Sequence, residues 1–348
     1  MEFLRVPTHL PAMTVTKSKV TALRTVYPPI SNAHATVLQK DPEVEALLRT
    51  SDFYMIGGRA AAKMSDFETD VKKGKLRCSF AIGDGPSHPV AFNIHELPGV
   101  KRAGPSLEIE IDQAGSGFRI WDISGGKREI AEWFTTEKLL WDRAHERPGI
   151  EGLEDVRVLA TYDLLYVGIA KVGDSFDRLL ARGHKARQEI LAAEPQRYPG
   201  ARVSDETFLF MFECDPLIIT QFEPDHAFKE SDLDGDYEAK RITADAEKAF
   251  VSLLKPSYNV QLFPNYPKGT DGLYGSDYAR YGYTIAEKMA FNTAHGSFRG
   301  GVDGATGMIN NDADCIFIEG DAVQLFRSGV DFDPATGAPT KPGDYSIA

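Results

Sequence analysis

The strongest constraint on the fold is an apolar run at residues 164–170, which is followed by a helical pattern at residues 175–191. The run is rich in residues that favour strands, and Gly168 near its end removes a side chain where backbone or substrate can approach closely. Tyr166 stands two positions before that glycine. The pattern predicts a buried strand that carries a tyrosine near its end, with an amphipathic helix after it. A tyrosine in such a strand is also typical of an ordinary core.

Composition limits the class of protein. The 348 residues are enough for two or three domains, and 42% apolar residues can fill a core. The formal net charge of −12 argues against indiscriminate nucleic-acid binding, which depends on phosphate neutralisation. Three distant cysteines, Cys78, Cys214 and Cys315, disfavour a disulfide framework or a cysteine zinc site. Because we find neither an apolar run of membrane-spanning length nor a signal-peptide pattern, we expect a cytoplasmic protein with no membrane partner.

Strand and helix patterns divide the chain into three predicted regions. Residues 1–150 are predicted to form a β-rich domain for recognition or assembly, with strand-like runs at 76–82, 89–94, 107–111 and 118–121 and a helix at 128–146. Residues 151–264 are predicted to form an α/β domain that begins with strands at 156–160 and 164–169. Residues 265–348 are predicted to be β-rich and to pack with the N-terminal domain. The predicted fold class is therefore α+β, with a small antiparallel sheet flanked by helices in the central domain and β-rich regions at both ends.

The helix predicted at residues 175–191 has a basic face. Arg178, Arg182 and Lys185 recur at intervals of four and three residues, which places them on one side of the helix. A guanidinium fork can bind two phosphate oxygens at once, so this face suits a phosphate group. His184 adds a side chain that can donate or accept a proton. An ordinary amphipathic surface helix would show the same pattern.

A carboxylate, Glu247, lies on the apolar side of a second predicted helix. Phe250, Val251 and Leu254 share this side at helical spacing, and Thr243 is the predicted N-cap. A carboxylate in this position is costly unless it is paired or binds a metal ion. Mg²⁺ takes one or two protein carboxylates and fills its other positions with water and substrate. The alternative is a first-turn glutamate that complements the helix dipole.

Together these residues resemble the GIY-YIG nuclease family, over roughly residues 155–264. The ordered matches are Tyr166-Val167-Gly168 for the second tripeptide, Arg178 and His184 on the first helix, Glu247 on the later helix, and Asn259 in the Pro-x-x-Asn sequence at 256–259. Each short motif alone is weak, whereas the set in this order is more specific.

The resemblance implies a role for each matched residue. Glu247 would hold Mg²⁺ or Mn²⁺, and Arg178 would stabilise the phosphorane. Tyr166, helped by Lys171 or His184, would activate or orient the attacking water. The residues expected to bind or position the substrate are Gly168, Arg182, Lys185 and Asn259.

Two features depart from the family pattern. The predicted first strand at 156–160 contains no tyrosine, so Tyr162 in the predicted turn would have to replace it. The span between Arg178 and Glu247 is long and contains an acidic segment at 221–241. Its acids would repel DNA, and we expect a solvated loop that gates the site or contacts a partner, rather than a Ca²⁺ loop.

The activity expected from this set is metal-dependent hydrolysis of phosphodiester bonds in nucleic acid, with DNA favoured over RNA. Such an activity is compatible with a role in restriction, in phage defence or in a mobile element. A rival hypothesis is a non-catalytic module that binds nucleic acid or a protein partner, which the missing tyrosine and the acidic charge favour. A third is a chance resemblance in a β-rich enzyme of another type. The β-rich regions are expected to support a homo-oligomer or a contact with a partner protein.

Overall fold

β-Strands from distant parts of the chain dominate the fold. The computed structural model describes residues 15–222, 229, 238–333, 335, 336, 338 and 340. Within this part, the strands are β1 (Thr16–Thr25), β2 (Ile30–Ser31), β3 (Phe53–Gly58), β4 (Ala62–Asp70), β5 (Lys75–Ile82), β6 (His88–Asn93), β7 (Leu107–Ile111), β8 (Gly117–Asp122), β9 (Glu129–Thr135), β10 (Ile150–Gly152), β11 (Thr161–Ile169), β12 (Thr207–Gln221), β13 (Tyr278–Ile285), β14 (Ala290–Thr293), β15 (Gly296–Arg299), β16 (Cys315–Glu319) and β17 (Ala322–Phe326).

Helices are fewer and shorter. They are α1 (Asn32–Leu38), α2 (Pro42–Leu48), α3 (Thr136–Ala144), α4 (Val156–Leu159), α5 (Lys185–Ala193), α6 (Val203–Glu206) and α7 (Ala239–Leu254), with a π-helix at Asp177–Ala181 and 3₁₀ turns at Val71–Lys73, Ile94–Glu96, Val100–Arg102 and Ser124–Gly126. None of the helices in the described part of the chain combines the length and apolar character that a membrane span requires.

A ten-stranded mixed sheet forms the centre of the molecule. Its strand order is β15-β14-β11-β3-β12-β1-β13-β16-β17, and β2 pairs with β12 beside this path. The pairs β1–β13 and β11–β14 are parallel, and the other neighbours are antiparallel. The sheet thus takes strands from each of the ranges 1–150, 151–264 and 265–348.

This architecture corrects the predicted fold class. A central domain with a small antiparallel sheet flanked by helices is wrong, because β11 and β12 belong to the large sheet and β3 lies between them. The sequence pattern of a strand does not identify its partner, and β3 is distant from both neighbours along the chain. The three predicted ranges therefore contribute to one sheet instead of separating into layers of their own.

The strand predicted at 156–160 is also wrong, since these residues form the short helix α4. The Ala160 amide donates to the Val156 carbonyl over 2.8 Å. The Arg157 side chain donates to the carbonyls of Gly300 and Asp312. Tertiary contacts therefore override the local strand propensity, and β11 begins only at Thr161.

Two smaller sheets come from residues 59–160, between β3 and β11. One has the order β10-β6-β5-β4 and the other the order β7-β8-β9. The strand-like runs predicted at 76–82, 89–94, 107–111 and 118–121 fall on β5, β6, β7 and β8. The helix predicted at 128–146 is replaced in its first half by β9, with α3 following.

Alternate residues of β3 enter two different apolar clusters, one on each face of the large sheet. Phe53 and Met55 join the main cluster, which also contains residues of α7. Tyr54 and Ile56 join a second cluster, which contains Leu179 of the π-helix. Because side chains of a strand alternate between faces, this register fixes the face on which Tyr54 lies.

Candidate active site

Two tyrosines lie side by side on adjacent antiparallel strands. In the pairing of β3 with β11, Tyr54 is opposite Gly168 and Tyr166 is opposite Ile56. The two phenol rings stack with centroids 6.1 Å apart and planes at 19°. Tyr54 is fully buried, whereas Tyr166 is half-buried and lines a cleft.

The tyrosine beside Tyr166 is therefore Tyr54, which the sequence analysis missed. Tyr162, which was expected to take the place of a first-strand tyrosine, belongs to the other apolar cluster and does not join this pair. Tyr162 is buried in β11, where its hydroxyl donates to the Glu137 carboxylate, and Arg59 donates to both groups. The apolar run at Phe53–Gly58 has the composition of a strand, so the sequence indicates β3 itself. Its pairing with β11 is not indicated, because residues 59–160 separate the two strands.

Gly168 makes room for these rings. A Cβ atom at this position would lie 2.6 Å from Cε1 of Tyr166 and 2.8 Å from Cζ and Oη of Tyr54. Such distances are shorter than van der Waals contact, and ring atoms in a packed core have little freedom to move. Gly168 is buried and shapes the site through the tyrosines, which differs from the substrate contact predicted for it.

The helix predicted at 175–191 is interrupted within its length. The π-helix ends near Arg182, Gly183 has a φ of +74°, and α5 begins after His184. A glycine adopts this left-handed conformation without steric cost, which explains the break. The predicted single basic face is therefore distributed over two elements.

Arg178 and His184 meet at the hydroxyl of Tyr54. Arg178 Nε donates to Tyr54 Oη over 2.9 Å, and His184 Nε2 lies 2.9 Å from the same oxygen. His184 is also the N-cap of α5, because its Nδ1 accepts from the Arg187 amide at 3.2 Å. Burial, together with the charges of Arg178 and Arg187, lowers the pKa of His184 to about 4. The ring is therefore neutral near pH 7, and the capping bond assigns its proton to Nε2.

Glu247 lies in the middle of α7, within the electrostatic reach of Arg178 and Lys171. The helix begins at Ala239, so Thr243 is not the N-cap and Glu247 is not in the first turn. The first-turn alternative is therefore wrong. Burial raises the pKa of Glu247 to about 7, and the charges of Lys171 and Arg178 oppose this rise. Its carboxylate makes no hydrogen bond or ion pair with the described residues, so a half-buried acceptor is left without a protein partner.

Asn259 holds the strand that carries Tyr166. Its Oδ1 accepts from the Val167 amide at 2.9 Å, and its Nδ2 donates to the Val167 carbonyl at 2.8 Å. Both polar groups of the side-chain amide are thus directed at the backbone next to Tyr166 and Gly168. These bonds make Asn259 a support of β11, and the positioning and substrate-binding roles predicted for it stay predictions.

Basic side chains surround the cleft at its solvent side. The cleft has a volume of about 530 Å³, and Tyr166, Arg178, His184, Arg182 and Lys185 line it. The side chains of Arg182 and Lys185 are 70% and 89% exposed, with ion pairs to Asp177 and Glu189. They are free to reorganise around an anionic ligand because exposed ion pairs are weak.

The donor set around Glu247 fits a hard divalent cation that keeps most of its water. The described residues contain no group of three or more His, Cys, Asp or Glu side chains arranged to hold a metal ion. A closed zinc site is therefore not formed by this part of the chain. One unpartnered carboxylate beside cationic groups that can hold a phosphate matches the usual way in which Mg²⁺ is bound.

The acidic segment predicted at 221–241 lies mostly outside the described residues, which omit 223–228 and 230–237. Its expected role as a gating loop or partner contact stays a prediction. Comparison of the chain with known protein families, with curated proteins and with solved structures finds no match.

Proposed function

We propose that this protein is a divalent-metal-dependent endonuclease that hydrolyses phosphodiester bonds in nucleic acid, with DNA as the favoured substrate, through a GIY-YIG-type site. One observation supports the proposal: Tyr166, Arg178 and His184 line one cleft, with Tyr54 bonded behind them. Glu247 of α7 lies within electrostatic reach of Arg178. Tyr54 of β3, stacked on Tyr166, would take the place of the tyrosine that the strand predicted at 156–160 lacks.

Arg178 is the group best suited to the reacting phosphate. It is exposed at the cleft, and its Nε donates to Tyr54. The guanidinium also interacts with Tyr166, and its planar fork suits the charge that develops in a phosphorane. Burial of Tyr54 fixes the direction in which the guanidinium leaves the π-helix.

Tyr166 is the phenol that reaches the cleft, with Tyr54 behind it. Burial and the charge of Glu247 raise the pKa of Tyr166, with Arg178 opposing, so the hydroxyl keeps its proton near neutral pH. A protonated phenol can orient the attacking water or bind a phosphate oxygen. Tyr54 accepts hydrogen bonds from Arg178 and His184 and acts as a positioning residue for both.

Glu247 would hold Mg²⁺ or Mn²⁺ in this proposal. When bound there, a divalent ion would neutralise phosphate charge and lower the pKa of water. Lys171 and Arg178 keep the carboxylate more acidic than burial alone would allow, which favours its metal-binding form at neutral pH. Arg182 and Lys185 can hold the phosphates that flank the reacting one.

The experiment that tests the proposal is cleavage of mixed DNA and RNA substrates with Mg²⁺ or Mn²⁺, comparing the native chain with Glu247→Gln and Arg178→Ala. Loss of cleavage by at least about a hundredfold in both variants is expected, because each removes charge stabilisation of the transition state. Glu154→Gln is the matched control, since the Glu154 side chain is 82% exposed and does not line the cleft.

Cleavage that survives both substitutions would place the chemistry elsewhere. If pure native protein binds nucleic acid in the absence of metal and cuts no substrate with any divalent ion, the non-catalytic module is the better description. DNA and RNA are compared in the same assay at one salt concentration, because phosphate-dominated binding varies steeply with salt.

A further inference from the structure

A second concavity, larger than the catalytic cleft, lies between helices α1–α2 and the sheet β7-β8-β9. We call it the α1–α2 groove, and it has a volume of about 820 Å³. Residues of α1 and α2 form one wall, and strands from the 59–160 insertion form the other. It shares no lining residue with the cleft that contains Tyr166 and Arg178.

Large apolar side chains are exposed along both walls. Val37 and Leu47 on the helical wall are 62% and 49% exposed, and Ile111 and Ile130 on the strand wall are 38% and 51% exposed. Single exposed apolar residues are normal, whereas several that line one groove are typical of an interaction surface. The groove therefore offers apolar contact area that the described chain leaves uncovered.

Aromatic groups in the groove have hydrogen-bonding capacity that is not used. The rings of Tyr27 and Trp133 stack with centroids 6.1 Å apart. Tyr27, Trp133 and His34 line the groove, and among the described residues the Tyr27 hydroxyl, the Trp133 indole N–H and the His34 imidazole have no hydrogen-bond partner. Aromatic residues with a free polar atom are the residue types that contribute most at protein interfaces.

Carboxylates give the groove a negative charge. The acids that line it are Asp41, Glu43, Glu110 and Asp112, and the only lining Lys or Arg among the described residues is Arg119. Asp41 accepts from the backbone amides at the start of α2, and the Ser116 hydroxyl lowers the pKa of Asp112. Asp112 therefore remains ionised at neutral pH, and four acids against one arginine disfavour a polyanion in the groove.

We propose that the α1–α2 groove binds a segment of a partner protein that combines apolar side chains with lysine or arginine. The apolar side chains would cover Leu47 and Ile130, and the cations would meet the acidic residues and the faces of the aromatic rings. We infer a basic partner from charge complementarity, because the four carboxylates of the groove would repel an acidic partner or a nucleic acid. The inference does not require the chain to cut nucleic acid.

The test uses two fluorescein-labelled peptides of 14 residues with leucine and alanine at the same positions, one with lysine and the other with glutamate at the remaining positions. Fluorescence anisotropy is followed while full-length protein is added. We expect saturable binding of the lysine peptide, at least about tenfold tighter than that of the glutamate peptide. Equal affinity for the two peptides would overturn the proposal.

Groove variants separate this binding from general attraction to an acidic protein. Leu47→Ser and Ile130→Ser are each expected to weaken the lysine peptide about fivefold, since each removes apolar contact. Val71→Ser and Val158→Ser are the controls, because these exposed valines lie outside the groove. Glu43→Lys is expected to weaken binding, with Glu154→Lys as its control.

Equal weakening by the groove and control variants would show that the groove is not the binding site. Binding of a labelled DNA duplex that Leu47→Ser and Ile130→Ser weaken would also overturn the proposal, in favour of nucleic acid as the occupant. Glu247→Gln is expected to bind the lysine peptide like the native chain. The groove and the nuclease proposal can therefore succeed or fail separately.

Discussion

Tyr54 Oη and His184 Nε2 lie 2.9 Å apart, which joins β3 to the start of α5. Arg178 donates to the same oxygen. Since the His184 Nδ1 atom is occupied by the Arg187 amide, the His184 ring cannot turn without losing the cap of α5. The buried hydroxyl of Tyr54 thus positions the side chains of Arg178 and His184 at the cleft.

Replacing Tyr54 by phenylalanine should remove this shared acceptor and keep the ring. The expected result is a fall in kcat on the order of a hundredfold with little change in KM, because Arg178 loses its orientation while the cleft keeps its charges. Steady-state cleavage with Mg²⁺ checks this. An unchanged kcat would mean that Tyr54 is only a core residue.

Tyr162→Phe provides the contrast. Its hydroxyl bonds to the buried carboxylate of Glu137, so the variant should lower the free energy of unfolding by about 1–3 kcal/mol. Cleavage per folded molecule should stay unchanged. A loss of activity as large as that in Tyr54→Phe would show that Tyr162 contributes to the site.

Gly168→Ala should displace the two tyrosine rings. The added methyl group would lie within 3 Å of atoms in both rings, and overpacking of this kind costs about 1–3 kcal/mol. The expected result is a loss of cleavage on the order of a hundredfold in protein that is still folded. Cleavage is measured below the unfolding temperature of the variant, and near-native activity there would contradict the steric argument.

The pH dependence of stability should report the buried His184. Its folded pKa of about 4 lies below the unfolded value of 6.5, so its stabilising contribution is present above pH 6.5 and is lost as the pH falls from 6.5 towards 4. The native chain should lose up to about 3 kcal/mol more than His184→Asn over this range. Asparagine can keep the N-cap and does not titrate. Urea unfolding at several pH values measures the difference, and parallel curves for the two proteins would contradict the prediction.

Asn259→Ala should act through β11. Two hydrogen bonds to Val167 are lost and the free energy of unfolding should fall by about 2 kcal/mol, with kcat affected more than KM because Tyr166 moves. Asn265→Ala is the control, since Asn265 is exposed and its side chain has no hydrogen bond to the described residues. A rise in KM alone would instead support the direct substrate contact first expected for Asn259.

The site residues that follow β11 could be predicted from the sequence, because each stands in a short local pattern with chemical meaning. Arg178 and His184 line the cleft, Glu247 lies within electrostatic reach of Arg178, and the roles predicted for them stay predictions. Tyr54 could not be predicted in the same way, because the pairing of β3 with β11 depends on contacts across residues 59–160. A local pattern indicates a strand but not its neighbour.

The fold class was harder to predict from the sequence for the same reason. The runs on β5 to β8 were readable as strands, since alternating side chains on a half-buried sheet leave a clear period. Residues 156–160 form α4 and not the predicted strand. Arg157 of this helix bonds to the remote carbonyls of Gly300 and Asp312, and a local sequence pattern cannot predict such contacts. The large sheet depends on pairings between strands that are distant in sequence, so local patterns did not predict it.

The position of β3 between β11 and β12 affects how the chain folds. Each of these pairings closes a loop of about a hundred residues or more, so the ordering entropy is lost before the strands gain their contacts. Proteins dominated by such distant pairings fold slowly. During synthesis Tyr54 emerges long before the strands β11 and β12 that flank it in the sheet, so the cleft beside Tyr166 would be among the last parts of a new molecule to form.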